Sequence, residues 1–197
     1  MNRGRTRPVA GKDEILSAAR AIGEREGWDA VTIRSVAQKL GYTSPLLYEH
    51  FRDKQELLTR IALDAIALLE KELTAGLPAD PVVACSAMAE RYWTFVLKHK
   101  QLYRLMNGMD GAPIDKKAVG KSAEPLCTII ANAVRPLIGD KAAQAEARML
   151  ADELWALLHG MACLYLDRSA PFDSTKVREA VMRLIRGARK SEKTIDR

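Results

Sequence analysis

A chain of 197 residues with 48% apolar and 28% charged residues can bury a core without disulfides or metal, and its composition excludes a disordered or fibrous polymer. Its formal charge of +6 and pI near 9.3 favour partners that carry phosphate or another anionic surface. Cys85, Cys127 and Cys163 are far apart and form no C-x-x-C pair, so they read as reduced thiols of a cytoplasmic protein. No run approaches the roughly 18 uninterrupted apolar residues of a membrane span, and no apolar stretch follows the basic N-terminus, so neither a membrane segment nor a signal peptide is expected.

In chain order, residues 1–11 read as a disordered basic arm carrying Arg3, Arg5 and Arg7, either a plain tail or a segment reaching the minor groove. A helix follows over 12–26, with Ile15, Leu16, Ala19 and Ile22 on one face. Gly27 stops it, Trp28 follows, and Val31 brings the chain back to the core. Thr32 is a good N-cap for a short helix over 33–40, with Ile33, Val36, Ala37 and Leu40 inward. After Gly41, Ser44 is read as the cap of a third helix, with Pro45 in its first turn and Leu47 and Phe51 as its inner face. Asp53 caps a long fourth helix over 54–75. Helices are then expected over 81–99, 100–107, 115–137, 141–168 and 173–190, with a turn-rich loop at 107–113. No alternating strand pattern is found. The expected fold is all-α, with about nine helices. The division is placed between 1–56 and 57–197, within a continuous helix rather than at a flexible linker.

The segment from Thr32 to Leu57 pairs two short helices across a glycine-containing turn, the helix-turn-helix arrangement whose second helix enters the major groove of duplex DNA. Ala37 lets the two helices cross closely, and Gly41 supplies a residue for which positive φ costs little. Gly41, Tyr42, Leu47, Tyr48, His50, Phe51 and Lys54 stand at the spacing of the third-helix pattern of the TetR family, and residues 12–60 resemble that family's DNA-binding domain. The resemblance implies that Tyr48 and His50 donate to phosphates and that Lys54 adds a charged phosphate contact. It implies that Thr32, with the free N–H groups of its helix, holds another phosphate. It also implies that Thr43, Ser44, Pro45 and Leu46 read base edges, with Arg34 a candidate for a guanine. Plainer roles are open for the same residues: a half-buried core tyrosine at 48, a surface histidine at 50, a solvated Arg34 and a packing Leu46. Tyr42 stands where the family usually has Val or Ile.

In the C-terminal half, Trp155, His159 and Gly160 are similar to the signature of a Trp-His-Gly subgroup of the TetR family. The helix over 141–168 is apolar nearly all round, through Leu150, Leu154, Leu157, Leu158, Met161, Leu164 and Tyr165, and so needs cover on two sides. Val177, Val181, Leu184 and Ile185 make one stripe on 173–190. Doubling these two helices about a two-fold axis gives a homodimer. Its paired recognition helices match a palindromic operator. The resemblance further implies a small-molecule effector. Trp93, Tyr103, Met106, Trp155 and His159 are the candidate lining of an apolar pocket, or else plain core. The leading expectation is a repressor released from its operator by a small apolar ligand. The alternative is an activator or DNA-organising protein of the same fold without a ligand. No enzyme is expected, because the chain shows no nucleophile elbow, phosphate loop, metal motif or close carboxylate pair. No cofactor is expected, and His50 and His99 offer no metal-ligand spacing.

Overall fold

The computed structural model describes residues 11–138, 144–168 and 170–195. The predicted basic arm with Arg3, Arg5 and Arg7 lies outside the described residues, as does the predicted start of a helix at 141. Among the described residues there are nine α-helices and no strand. They are α1 (Lys12–Glu26), α2 (Ile33–Leu40), α3 (Ser44–Tyr48), α4 (Lys54–Thr74), α5 (Pro81–Lys98), α6 (Lys100–Met106), α7 (Lys116–Ile138), α8 (Gln144–Leu166) and α9 (Ser174–Ile195). The all-helical reading of the periodicity holds, and α9 runs past the predicted residue 190.

The chain forms two compact units. The first contains residues as far as Ala65 together with Gln101–Val119, and the second Ile66–Lys100 together with residues from Gly120 onward. In the first unit α1 packs on α2, and α2 on α3, through Ile15, Ala19, Ile22, Val36, Ala37 and Leu47. Trp28 is buried, and its Nε1 donates to the Gln101 carbonyl at 2.8 Å. Asp115 N donates to Thr59 Oγ1 at 2.9 Å. These two hydrogen bonds explain why the unit takes in a segment far along the chain and extends past residue 56. Leu57, Leu58, Ile61, Ala62 and Ala65 of α4 are all buried as well.

In the second unit α5 and α8 both pack against α9. Val177, Val181 and Ile185 are the buried stripe of α9, while Leu184 is only half-buried. α8 is long and apolar enough to cross a membrane by length and composition, with a mean hydropathy of 1.2. Asp152 and Glu153 interrupt its apolar run. In the structure Leu150, Leu154, Leu158 and Met161 form one buried face of α8, and 33% of its apolar stretch is buried.

Candidate nucleic-acid interface

The interface is built on the start of α2. Ser35 N donates to Thr32 Oγ1 at 2.9 Å, Thr32 N donates to Ser35 Oγ at 2.9 Å, and Ser35 Oγ donates to the Ala30 carbonyl at 2.8 Å. This reciprocal cap fixes the point where the chain enters the helix. It also engages the Thr32 hydroxyl, so the amides of Ile33 and Arg34 are the helix-start donors left to meet an anion. Ser35 is the residue that sequence reasoning missed, because the usual signature has Glu or Gln at that place.

α2 ends at Gly41, whose φ of 70° and ψ of 30° are left-handed. Gly41 N donates to the Gln38 carbonyl at 3.2 Å, and Tyr42 N reaches back to the Ala37 carbonyl at 2.9 Å. The last carbonyls of α2 are thus satisfied within the turn.

α3 has only five residues. Thr43, not Ser44, occupies the N-cap position, and its side chain makes no capping bond; Ser44 is already helical. The physical reason lies in Pro45, which has no N–H and so removes one of the two amides that a capping side chain would serve. Thr43 and Pro45 are exposed, Ser44 and Leu46 are half-buried, and Leu47 is fully buried beneath them. Tyr48 is 56% exposed, which excludes a core role.

His50 lies beyond α3, in the turn before Phe51. Its Nε2 is buried and has no hydrogen-bond partner. Lys54 opens α4 and donates from Nζ to the Asp29 carbonyl at 3.2 Å. That bond ties the ammonium group to the loop before α2 and leaves two of its protons for other acceptors. Asp53 caps α4, accepting from Glu56 N at 2.8 Å, while Arg52 N donates to Glu56 Oε2 at 2.8 Å. The Glu56 amide, with the Arg52 side chain, holds the Asp53 carboxyl below its ordinary range. Arg34 is exposed and pairs with no carboxylate among the described residues. Thr32, Arg34, residues 43–46, Tyr48, His50 and Lys54 all belong to the first unit.

Residues 15–61 match the profile of the tetR family of bacterial regulatory proteins. Residues 85–188 match the tetracyclin repressor-like C-terminal domain. The chain belongs to the TetR family of transcriptional regulators. That family consists of DNA-binding regulators, not enzymes. The HTH-type transcriptional regulator Rv0681 of Mycobacterium tuberculosis is 28% identical over 78% of this chain and 69% of its own length. The HTH-type transcriptional activator FasR of Mycolicibacterium smegmatis is 27% identical over 94% of this chain and 91% of its own length. Two solved structures share the fold. One is a protein from Rhodococcus sp. RHA1, with a TM-score of 0.75 at 22% identity, covering 94% of this chain and 98% of that one. The other is BioQ with its double-stranded DNA operator, with a TM-score of 0.69 at 18% identity, covering 92% and 99%.

The second unit of this TetR-family regulator contains an apolar cavity of about 40 Å³, lined among others by Leu73, Cys85, Met88, Tyr92, Val134 and Trp155. No charged side chain lines it. Burial pushes the Cys85 thiol up to about 11. Of the five residues expected to line a pocket, Trp93, Trp155 and His159 belong to the second unit and Tyr103 and Met106 to the first. Only Trp155 faces the cavity. Trp93 is buried nearby in sequence but packs edge-on against Tyr165, with ring centroids 5.1 Å apart. His159 stacks on Trp155 with the two ring planes parallel, and burial lowers its pKa. Tyr103 and Met106 are buried in the first unit. Helical spacing identifies such residues as inward, but it does not tell which of two cores an inward residue joins.

Proposed function

We propose that this regulator is a homodimeric repressor acting in the cytoplasm. It binds a palindromic operator through Thr32, Arg34, Thr43, Ser44, Pro45, Leu46, Tyr48, His50 and Lys54, and a small apolar ligand releases it. One observation carries the DNA-binding half: Arg34, Thr43, Pro45 and Tyr48 are exposed along α2 and α3, while buried Leu47 and Phe51 hold the helix from behind. Phosphate contacts from Tyr48, Lys54 and the first amides of α2 set the register, and the exposed side chains between them read the bases. BioQ, of the same fold, was solved with its operator, which supports this reading.

The dimer part rests on α8. Met149 is 64% exposed and Leu164 is 47% exposed on a helix whose other face is core. A second copy of α8 and α9 covers both residues and sets two recognition helices about one DNA turn apart.

The ligand part rests on the cavity beside Trp155, whose uncharged lining suits an apolar molecule. At about 40 Å³ it is far below the roughly 300–1,000 Å³ of a drug-sized pocket, so the ligand enters by displacing lining side chains. It shifts the regulator only by its difference in affinity for the two states. α4 contributes residues to both compact units and is the element through which that shift travels. The same small volume favours a second reading, an activator or DNA-organising protein of this fold without a ligand. FasR, similar over most of the chain, is an activator.

Selection of bound duplexes from random DNA tests the proposal, followed by release with a panel of uncharged apolar compounds. The repressor reading expects an enriched inverted repeat that one compound releases. Enrichment without release by any compound favours the second reading. No enriched repeat at all sinks the operator assignment.

A further inference from the structure

His159 and Cys163 stand one helical turn apart on α8, and Cys163 Sγ lies 3.4 Å from His159 Nε2. Both side chains are half-buried. Two ligands of one tetrahedral zinc ion, a thiolate sulfur at about 2.3 Å and an imidazole nitrogen at about 2.0–2.1 Å, stand about 3.6 Å from each other. The spacing of this pair is within about 0.2 Å of that edge.

Among the described residues no third His, Cys, Asp or Glu joins the pair, so one chain supplies half of a four-ligand site. The position of Cys163 says where the other half comes from. Met149, Ala156 and Cys163 follow one another at intervals of seven residues, which places them on one side of the helix. Met149 and Ala156 are exposed there. This is the side assigned above to the second copy.

We propose that His159 and Cys163 from two copies of this chain bind one zinc-like divalent ion across the face between their α8 helices, as a Cys2His2 site. The site rests on the dimer reading above. Each Cys163 thiol releases its proton to solvent as its sulfur binds the ion, and nothing is oxidised or reduced. A soft thiolate with an imidazole selects zinc or cobalt over magnesium or calcium. An ion held this way clamps the two chains.

The test uses the full-length, untagged, metal-free protein. Sedimentation without metal reads the dimer independently. Titration with Co²⁺ reads the site, because a cobalt–thiolate bond absorbs by charge transfer. The expected result is a charge-transfer band that saturates at one Co²⁺ per two chains and is reversed by Zn²⁺. Loss of the band is expected in Cys163→Ser, and loss or weakening in His159→Gln, with both variants still dimeric. A dimeric wild-type protein without the band overturns the metal site and leaves the dimer standing. A band unchanged in Cys163→Ser, or saturation at one ion per chain, also overturns it. A chain that is monomeric both with and without Co²⁺ overturns the dimer reading, and the shared site with it.

Discussion

The indole ring of Trp28 occupies the space that a side chain on Gly23 would need: a Cβ at Gly23 would lie 2.2 Å from Cζ3 of that ring. The ring is held there by packing and by its hydrogen bond to the Gln101 carbonyl, so it has little room to yield. Gly→Ala inside a helix normally stabilises by about 1 kcal/mol. Gly23→Ala is expected to do the reverse and cost about 1–3 kcal/mol by overpacking. Gly120 of α7, where an added Cβ meets nothing within 4 Å, is the control, and its alanine variant is expected to be neutral or stabilising. Urea unfolding of the two variants checks this. Equal midpoints would show that the close approach carries no energetic weight.

If Tyr48 and Lys54 donate to phosphates as proposed, Tyr48→Phe and Lys54→Ala weaken binding to all DNA sequences alike. The lysine variant should also reduce the slope of log affinity against log salt by about one. Tyr48 is exposed, so Tyr48→Phe leaves the fold untouched. Unchanged affinity in both variants, measured by fluorescence anisotropy over a salt series, would remove these residues from the interface.

Arg34→Ala is expected to relax preference at a single base-pair position, with a loss of about 1–3 kcal/mol confined to the preferred sequence. Repeating the selection with the variant distinguishes this from a phosphate contact, whose loss would weaken every sequence equally.

Ala89→Val adds two methyl groups to a wall of the small cavity. The expected outcome is unchanged operator affinity without ligand and a lost or weakened response to the releasing compound. Loss of operator binding and response together would show that the cavity and the DNA interface do not act as separate sites.

Cys85 has a raised pKa in the folded state. Its contribution to stability is therefore complete below the ordinary thiol pKa of 9.0, and it is lost as the pH rises toward about 11. In the native protein it is expected to be alkylated far more slowly at pH 8 than in urea, read by mass spectrometry of the modified peptides. Rapid native labelling of Cys85 would contradict its burial.

The sequence by itself determined the helices and the DNA-reading motif, because both are written in local patterns. Apolar spacing set α1, α4 and α8 to within a few residues. Thr32, Gly41 and Asp53 marked ends that depend on one side chain or one backbone angle. The helix-turn-helix was legible from Thr32 to Leu57 for the same reason. Ser35 and the cap of α3 were not, since each depends on which donors the neighbouring residues leave open. Tertiary structure alone decided which core each inward residue joins. Tyr103 and Met106 follow α5 directly, yet they are buried with the DNA-binding helices. Trp28 finds its acceptor on Gln101, far along the chain. The periodicity of a helix specifies that a side chain is buried. Its partner is fixed only when distant segments pack, and that information is carried by shape and contact rather than by spacing.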